Sequence, residues 1–203
     1  MRPLARRTST ALLLAIAFAL PTGSAKAHAA EPRDNVATAV ATTDGAHVSD
    51  FAWDVSRQRA GDVTQHNAAN AGAQCTDCSA TAIAFQVVLV SGTPSTLTPR
   101  NTAVAVNDQC TRCVAAAEAR QFVWVVDAPV RFTGHGMAEL ADIRRTLRAL
   151  AGANLPLAEL HAAVEQQEAR VTAVLQNDVV LESDANRGPN TLKAGVLEDT
   201  DLG

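Results

Sequence analysis

Aromatic residues are scarce in this chain of 203 residues. Tyrosine is absent, and five phenylalanines and two tryptophans make up 3% of the sequence. A core without many rings must be built from alanine, valine and leucine, and small side chains bury less apolar area per residue. Stability is therefore expected to come partly from another source, and covalent cross-links are the obvious candidate.

Long apolar runs are also missing, except for one at the N-terminus. Residues 11–20 have the sequence ALLLAIAFAL, which follows three arginines and precedes small residues ending in AHAAE. This order is typical of a secretory signal peptide, with cleavage predicted after Ala29 or alternatively after Ala30. The run is shorter than the roughly 20 residues that cross a bilayer. We therefore predict a signal peptide at 1–29 and a secreted or extracytoplasmic protein without a membrane span after cleavage.

Basic residues do not dominate the predicted mature chain. Removing residues 1–29 takes away four basic residues and no acidic ones, which leaves 13 basic against 21 acidic residues and a net charge of −8. Nucleic acids and anionic lipids are bound by basic patches. Nucleic acid is therefore not an expected partner.

Motifs for catalysis are absent as well. The sequence contains no H-E-x-x-H, no G-x-S-x-G and no phosphate-binding glycine loop. The histidines are scattered: His135 lies in a predicted turn and His161 in a predicted helix, and neither is given a role. We predict no catalytic residue and no enzymatic activity.

A repeated segment is the main positive feature. QCTDCSATAIAFQVVLV begins at Gln74, and QCTRCVAAAEARQFVWVV begins 35 residues later, at Gln109. From the second cysteine onward the shared residues fall on alternate positions, a period of two that predicts a strand with one retained face. These positions are Cys78, Ala80, Ala82, Ala84, Gln86, Val88 and Val90, which match Cys113, Ala115, Ala117, Ala119, Gln121, Val123 and Val125.

The residues before each repeat complete a predicted hairpin. NTAVAVND, before Cys110, alternates like a strand, and NAANAGA, before Cys75, resembles a weaker version of it. A strand, a short cysteine turn and a second strand predict a β-hairpin. We therefore predict an α+β fold in which two related C-x-x-C β-hairpin units form a small antiparallel sheet at 67–132.

Two amphipathic helices are predicted to follow, at 133–177. Apolar residues recur at helical spacing on both sides of GANLP, which predicts an antiparallel helical hairpin. The apolar residues are Met137, Leu140, Ile143, Leu147 and Leu150, then Leu157, Leu160, Val164, Val171 and Leu175. The basic cluster of Arg144, Arg145 and Arg148 is interpreted as a solvated face balanced by Glu159, Glu165 and Glu168.

The chain ends are predicted to lack regular structure. Residues 30–66 are rich in alanine, threonine, aspartate and glycine, and residues 178–203 are acidic without a clear apolar period. Low hydrophobicity of this kind predicts a flexible N-terminal segment and a disordered acidic tail.

The cysteines allow three interpretations. Cys75, Cys78, Cys110 and Cys113 form structural disulfides, whose three connectivities the sequence does not distinguish. Alternatively, the four thiolates bind zinc as two C-x-x-C knuckles, although the spacer is longer than usual. In the third interpretation each pair is a redox dithiol, which normally needs a helix N-terminus to activate the thiolate. Export and the even cysteine count favour disulfides, so no cofactor is expected and zinc is the alternative.

A family resemblance covers about residues 67–175. The paired C-x-x-C segments, PRNTAVAVND and RFTGHGMAELADIRRTLRALAGANLPLAELHAAV resemble a group of exported proteins of high-GC Gram-positive bacteria. They are also similar to the C-terminal extracytoplasmic region of membrane proteins described as peptide zinc metalloproteases. The resemblance implies an extracytoplasmic module of strands and helices without an assigned activity. Protease chemistry does not carry over, because this sequence lacks the metal-binding motif and the spanning helices.

These features together predict a secreted, disulfide-stabilised structural or interaction module. An envelope protein or a peptide is the expected partner, and the sequence does not indicate an oligomeric state. A zinc-stabilised binding module with a four-cysteine site and a thiol-disulfide oxidoreductase are the alternatives.

Overall fold

Six long strands alternate between two β-sheets. The computed structural model describes residues 33–182 and 196–197, and its long strands are β1 (Arg33–Ala41), β2 (His47–Arg59), β3 (Asp62–Ala73), β4 (Ser79–Ser91), β5 (Thr96–Asn107) and β6 (Val114–Val126). In the first sheet β3 lies between β1 and β5, and in the second β4 lies between β2 and β6. These strand pairs are all parallel. The chain therefore winds through three coils of a β-solenoid, each contributing one strand to each sheet.

The sequence repeat corresponds to one coil. Ser79 pairs with Val114, so the second and third coils are offset by 35 residues in the second sheet. His47 pairs with Ser79, so the first coil is a shorter version of the same unit. The first coil lacks cysteine, which explains why the cysteine motif revealed only two of the three units.

Inward-facing side chains change in size along each coil. Alanine fills the interior beside the cysteine turns, amide side chains follow, and valine fills the opposite end. Small side chains let the sheets approach closely at one end, and larger ones fill the space at the other. In the second coil the order is Val63, Gln65, Asn67, Ala69, Ala71 and Ala73 on β3, then Ala80, Ala82, Ala84, Gln86, Val88 and Val90 on β4.

Buried amides form ladders from coil to coil. The Asn67 side chain accepts a hydrogen bond from Asn35 at 2.7 Å and donates one to Asn101 at 2.7 Å. In the second sheet, the Gln121 side chain donates a hydrogen bond to the Gln86 side chain at 2.7 Å. In-register stacking of identical amides lets each satisfy the next, so these polar groups are buried without losing their hydrogen bonds.

Two helices cover the outer face of the second sheet. They are α1 (Gly134–Gly152) and α2 (Leu157–Asn177), which lie where the apolar spacing predicted helices. The Thr133 side chain caps α1 by accepting a hydrogen bond from the Gly136 backbone at 3.0 Å. Because one face of β4 packs on the first sheet and the other on the helices, its interior positions are all buried. The helix-facing core contains Ile83, Phe85, Val87, Leu89, Leu140, Ile143, Leu147, Leu160, Val164 and Val171.

Short antiparallel strands complete the described chain. β7 (Val130–Phe132) precedes α1 and pairs with β8 (Val179–Leu181), which follows α2. A two-residue strand, β9 (Val196–Leu197), pairs with β6. The β7–β8 pair joins the segment before α1 to the segment after α2.

The predicted fold class was wrong in its strand pairing. The strands before and after each cysteine turn do not form an antiparallel hairpin, since they lie in different sheets that face each other. Each pairs in parallel with its counterpart in the next coil. The chain is therefore mostly β, with two three-coil parallel sheets, and the helices form a cover on one of them.

The predicted segment boundaries also need correction. Within 30–66, predicted to be flexible, the structure places β1, β2 and the beginning of β3. Within 178–203, predicted to be a disordered tail, it places β8 and β9. The predicted signal peptide at 1–29 lies outside the described residues. Neither α1 nor α2, the helices of the described residues, contains an apolar stretch that could span a bilayer.

Candidate functional site

The predicted cysteine site lies at one edge of the solenoid. Cys75 and Cys78 are in the turn from β3 to β4, and Cys110 and Cys113 are in the corresponding turn of the next coil. Within each pair the sulfur atoms are at disulfide distance and the Cα atoms are 5.9 Å apart. The structure therefore pairs each cysteine with its partner in the same C-x-x-C motif, and none of the four is free.

The two cysteine turns are stacked. Thr76 and Thr111 form a parallel bridge between the coils, and the Sγ atoms of Cys78 and Cys113 are 3.6 Å apart. Cys75 and Cys78 are buried, whereas Cys110 and Cys113 are partly exposed. All four sulfurs thus form one cluster at the solenoid edge.

The residues between the cysteines are explained by turn geometry. Asp77 and Arg112, which precede the second cysteine of each motif, have φ angles of 56° and 55°, and Gly45 has 72° at the equivalent position of the first coil. Aspartate tolerates this left-handed conformation better than most residues do. The Asp77 carboxylate and Arg112 guanidinium form a bidentate ion pair across the two turns. This exposed pair lowers the pKa of Asp77, chiefly through the hydrogen bonds from Arg112.

This arrangement differs from that of a redox dithiol. Both motifs join two strands, so neither motif opens a helix as a redox C-x-x-C does. Arg112, the residue before Cys113, is paired with Asp77. The strand-to-strand setting of these turns therefore differs from the helix-start setting of a redox dithiol.

A second cluster, which sequence reasoning missed, is buried between β6 and α2. Arg120 donates to Glu168 at 2.6 Å, and its guanidinium lies 3.0 Å from the Glu118 carboxylate. The side chains of Arg120 and Glu118 are only 3% and 5% exposed. His161 lies between Glu118, at 3.0 Å, and Glu165, at 3.2 Å. These five residues form a continuous charged network on the helix-covered face.

The sequence did contain a signal for this network. Glu118 and Arg120 pair in register with Ile83 and Phe85, two fully buried residues of the preceding coil. Charged residues at positions that are apolar in the neighbouring repeat are expected to be buried and paired. The repeat alignment therefore pointed to them, although their partners on α2 could not be derived from it.

The geometry of the charged network limits its chemistry. A cavity of about 450 Å³ beside it is lined mainly by alanines, together with Glu118, Leu157 and His161. Both His161 ring nitrogens lie against carboxylates, and no hydroxyl or thiol lines the cavity. A histidine that activates a nucleophile needs that nucleophile within hydrogen-bond reach. The arrangement is thus better suited to joining α2 to β6 than to nucleophilic catalysis.

His135, the turn histidine noted in the sequence, contacts one carboxylate. Its Nδ1 lies 3.1 Å from Asp178, which also accepts a hydrogen bond from Thr133 at 2.5 Å. The Thr133 hydroxyl, followed by His135 and the Gly136 backbone, lowers the pKa of Asp178. This contact joins the end of α2 to the beginning of α1. In the described part of the chain, no group of three or more His, Cys, Asp and Glu residues could hold a metal ion.

The predicted balance between the arginine cluster and the α2 glutamates is not observed. Glu168 contacts Arg120 and Glu165 contacts His161. Arg145 instead forms an ion pair with Asp142 in its own helix, at 2.7 Å.

Comparisons with protein-family models, curated proteins and solved structures found no match.

Proposed function

We propose that the protein is an exported, disulfide-braced β-solenoid that acts by binding an envelope protein or peptide and does not catalyse a reaction. The predicted signal peptide supports export, and disulfides persist in oxidising compartments outside the cytoplasm. A solenoid with a helical cover offers exposed sheet edges and faces as binding surfaces.

One observation carries this proposal: both cysteine pairs close the same turn in successive coils. The sheets meet at this edge through alanine side chains, which bury little area. A covalent bond in each turn compensates for that small burial by restricting the unfolded chain. The disulfides therefore brace the part of the solenoid that packing stabilises least.

Intact mass of the exported protein, purified without reductant, tests the proposal. Two disulfides lower the mass by four hydrogens relative to the reduced chain and leave no thiol to alkylate. Free thiols without metal would contradict the proposal.

Zinc is the second candidate, favoured by the 3.6 Å separation of the Cys78 and Cys113 sulfurs. Thiolates from adjacent turns must meet in this way to share one tetrahedral ion. With both disulfides absent, Cys75, Cys78, Cys110 and Cys113 would hold zinc in a structural role; with the disulfides formed, the described residues contain no metal-binding group. Four alkylatable thiols after chelation and one zinc in the native mass spectrum would replace the disulfide proposal with this one.

The oxidoreductase alternative is tested by insulin reduction. A structural disulfide gives no turnover with dithiothreitol as reductant beyond the uncatalysed rate. Catalytic turnover that is lost in Cys110→Ser would overturn the proposal that the protein is not an enzyme.

A further inference from the structure

The outer edge of the second sheet is unpaired along its first strand. β2 pairs with β4 on one side, and no described strand pairs with its other side. The Asp50 carboxylate accepts a hydrogen bond from the Phe51 backbone N–H at 2.8 Å and so occupies the edge at that point. The available stretch therefore begins at Trp53 and extends to Arg59. Such an edge presents a row of N–H and C=O groups that can pair with another chain.

Helix α1 lies beside β2 from Ser49 to Val55. Met137, near the beginning of α1, shares a groove with Val55, whereas Arg148 lies over Phe51 at 5.6 Å and Gly152 approaches Ser49. α1 therefore runs antiparallel to β2. The groove between them has a volume of about 530 Å³, with Trp53 and Val55 on the strand side and Met137, Arg144 and Arg148 on the helix side.

The groove combines an apolar floor with uncompensated positive charge. Trp53 and Val55 are half-buried, and Met137 is 54% exposed. Among the described residues, neither Arg144 nor Arg148 has a carboxylate partner. This pair is unusual in a chain with an excess of acidic residues, and it favours a ligand with negative charge.

The two arginines match the spacing of a strand. They are four residues apart on α1, which corresponds to about 6 Å along a helix axis. Alternate side chains of a strand are about 6.7 Å apart and point to the same face. Acidic residues at alternate positions of a strand paired with β2 would therefore meet Arg144 and Arg148 in turn.

We infer that the β2–α1 groove binds an extended acidic peptide segment, which adds a strand to the edge of the second sheet. The backbone of the peptide pairs with residues 53–59 and one end continues past Phe51, so that carboxylates at alternate positions of one face meet Arg144 and Arg148. This mode of recognition takes affinity from backbone hydrogen bonds and specificity from alternate side chains. The inference rests on the proposed binding function and names the chemistry of the partner.

A nine-residue peptide in which glutamate alternates with valine, capped at both ends and carrying fluorescein, is the probe. Fluorescence anisotropy with the full mature protein should show saturable binding. The same peptide with lysine in place of glutamate, and a version N-methylated at alternate residues, should each bind at least about tenfold more weakly. The first control removes the charge match and the second removes backbone pairing.

Protein variants test the arginines. Replacing both Arg144→Gln and Arg148→Gln should weaken binding by about 5- to 25-fold, the effect of losing two exposed ion pairs. Arg100→Gln, at an exposed position on the first sheet, is the matched control and should change affinity less than about twofold. Hydrogen exchange of the amides at 53–59 should slow when the peptide is bound, which locates binding at the edge.

Absence of binding, equal binding of the N-methylated or lysine peptide, or an equal effect of Arg100→Gln would overturn the inference. These outcomes differ from failure of the proposed function. If the protein has two disulfides, does not reduce insulin and does not bind the peptide, only the inferred peptide site is contradicted. Bound zinc or catalytic turnover of insulin would contradict the proposed function, whether or not the peptide binds.

Discussion

Arg120 provides a direct test of the buried charged network. We expect Arg120→Met to lower the free energy of unfolding by about 3–5 kcal/mol, the usual cost of removing one partner from a buried ion pair. The size of the effect follows from exposure: the Glu118 side chain is only 5% exposed, so water cannot replace the lost guanidinium. Glu168, at 23% exposed, can be partly hydrated and should contribute less.

The magnitude can be measured by urea unfolding followed by circular dichroism. In a thermal melt, about 2–4 °C in Tm corresponds to 1 kcal/mol for a chain of this size, so the Tm of Arg120→Met should be lower by roughly 6–20 °C. The denaturant slope should stay constant, which would show that the variant unfolds from the same structure.

The matched control restores the residue type found one coil earlier. Glu118→Ile copies Ile83, its register partner, and combining it with Arg120→Met removes both charges. Because a buried pair replaced by apolar groups is often neutral, the double variant should be more stable than Arg120→Met alone. A loss below about 1 kcal/mol in the single variant, or a double variant that is less stable still, would refute the argument that Glu118 depends on Arg120 for its burial.

Three further predictions concern other parts of the fold. Combining Cys110→Ser with Cys113→Ser should lower the free energy of unfolding by about 2 kcal/mol, because a disulfide that closes so short a loop restricts the unfolded chain only slightly. A urea midpoint equal to that of the wild type would contradict the bracing role of this disulfide. Asn67→Ala should lower the free energy of unfolding by about 2–4 kcal/mol in the same assay, since it opens a cavity and leaves neighbouring buried amides without partners. No measurable decrease would show that the amide ladder contributes no net stability. Asp178 has a lowered pKa, mainly because Thr133 donates to it, so its contribution is present above the unfolded value of about 3.9 and is lost as pH falls through the folded pKa. The stability difference between wild type and Asp178→Asn should therefore shrink below about pH 4, and a difference that stays constant from pH 7 to pH 2 would rule out this linkage.

The strands and their inward faces could be predicted from the sequence, but their pairing could not. Alternation at Ala80, Ala82 and Ala84 indicates which side chains share a face, and these residues do face the interior. The same alternation occurs in parallel and antiparallel sheets, so it does not identify the neighbouring strand. The 35-residue offset was the more informative number, because self-similarity at such a period is typical of solenoids.

The first coil was missed for a compositional reason. β1 carries Asn35, Ala37, Ala39 and Ala41 toward the interior, all of them buried. Alanine and asparagine contribute little to hydropathy, so a strand made of them looks like a flexible segment. These residues are core because the second coil stacks on them, the facing sheet packs closely, and Asn35 joins the amide ladder.

The candidate site was predictable in its residues and not in its arrangement. The four cysteines were identified, yet whether they pair within or between motifs depends on how the turns stack. Arg144 and Arg148 were interpreted as a balanced solvated face, because a helical pattern alone does not show where the glutamates of α2 point. The partners of those glutamates, Arg120 and His161, lie on the opposite side of the helical layer.

The helical cover has a consequence for how this protein can evolve. An ordinary solenoid gains or loses coils by duplicating one repeat, since every coil meets only copies of itself. Here the outer face of the second sheet is matched to a single pair of helices, and each coil presents different residues to them, such as Phe85 in one and Arg120 in the next. A fourth coil would extend beyond α1 and α2 and leave its apolar face in water. The repeat number should therefore be fixed by the width of two helices, and relatives with more coils would need a wider cover or a polar outer face.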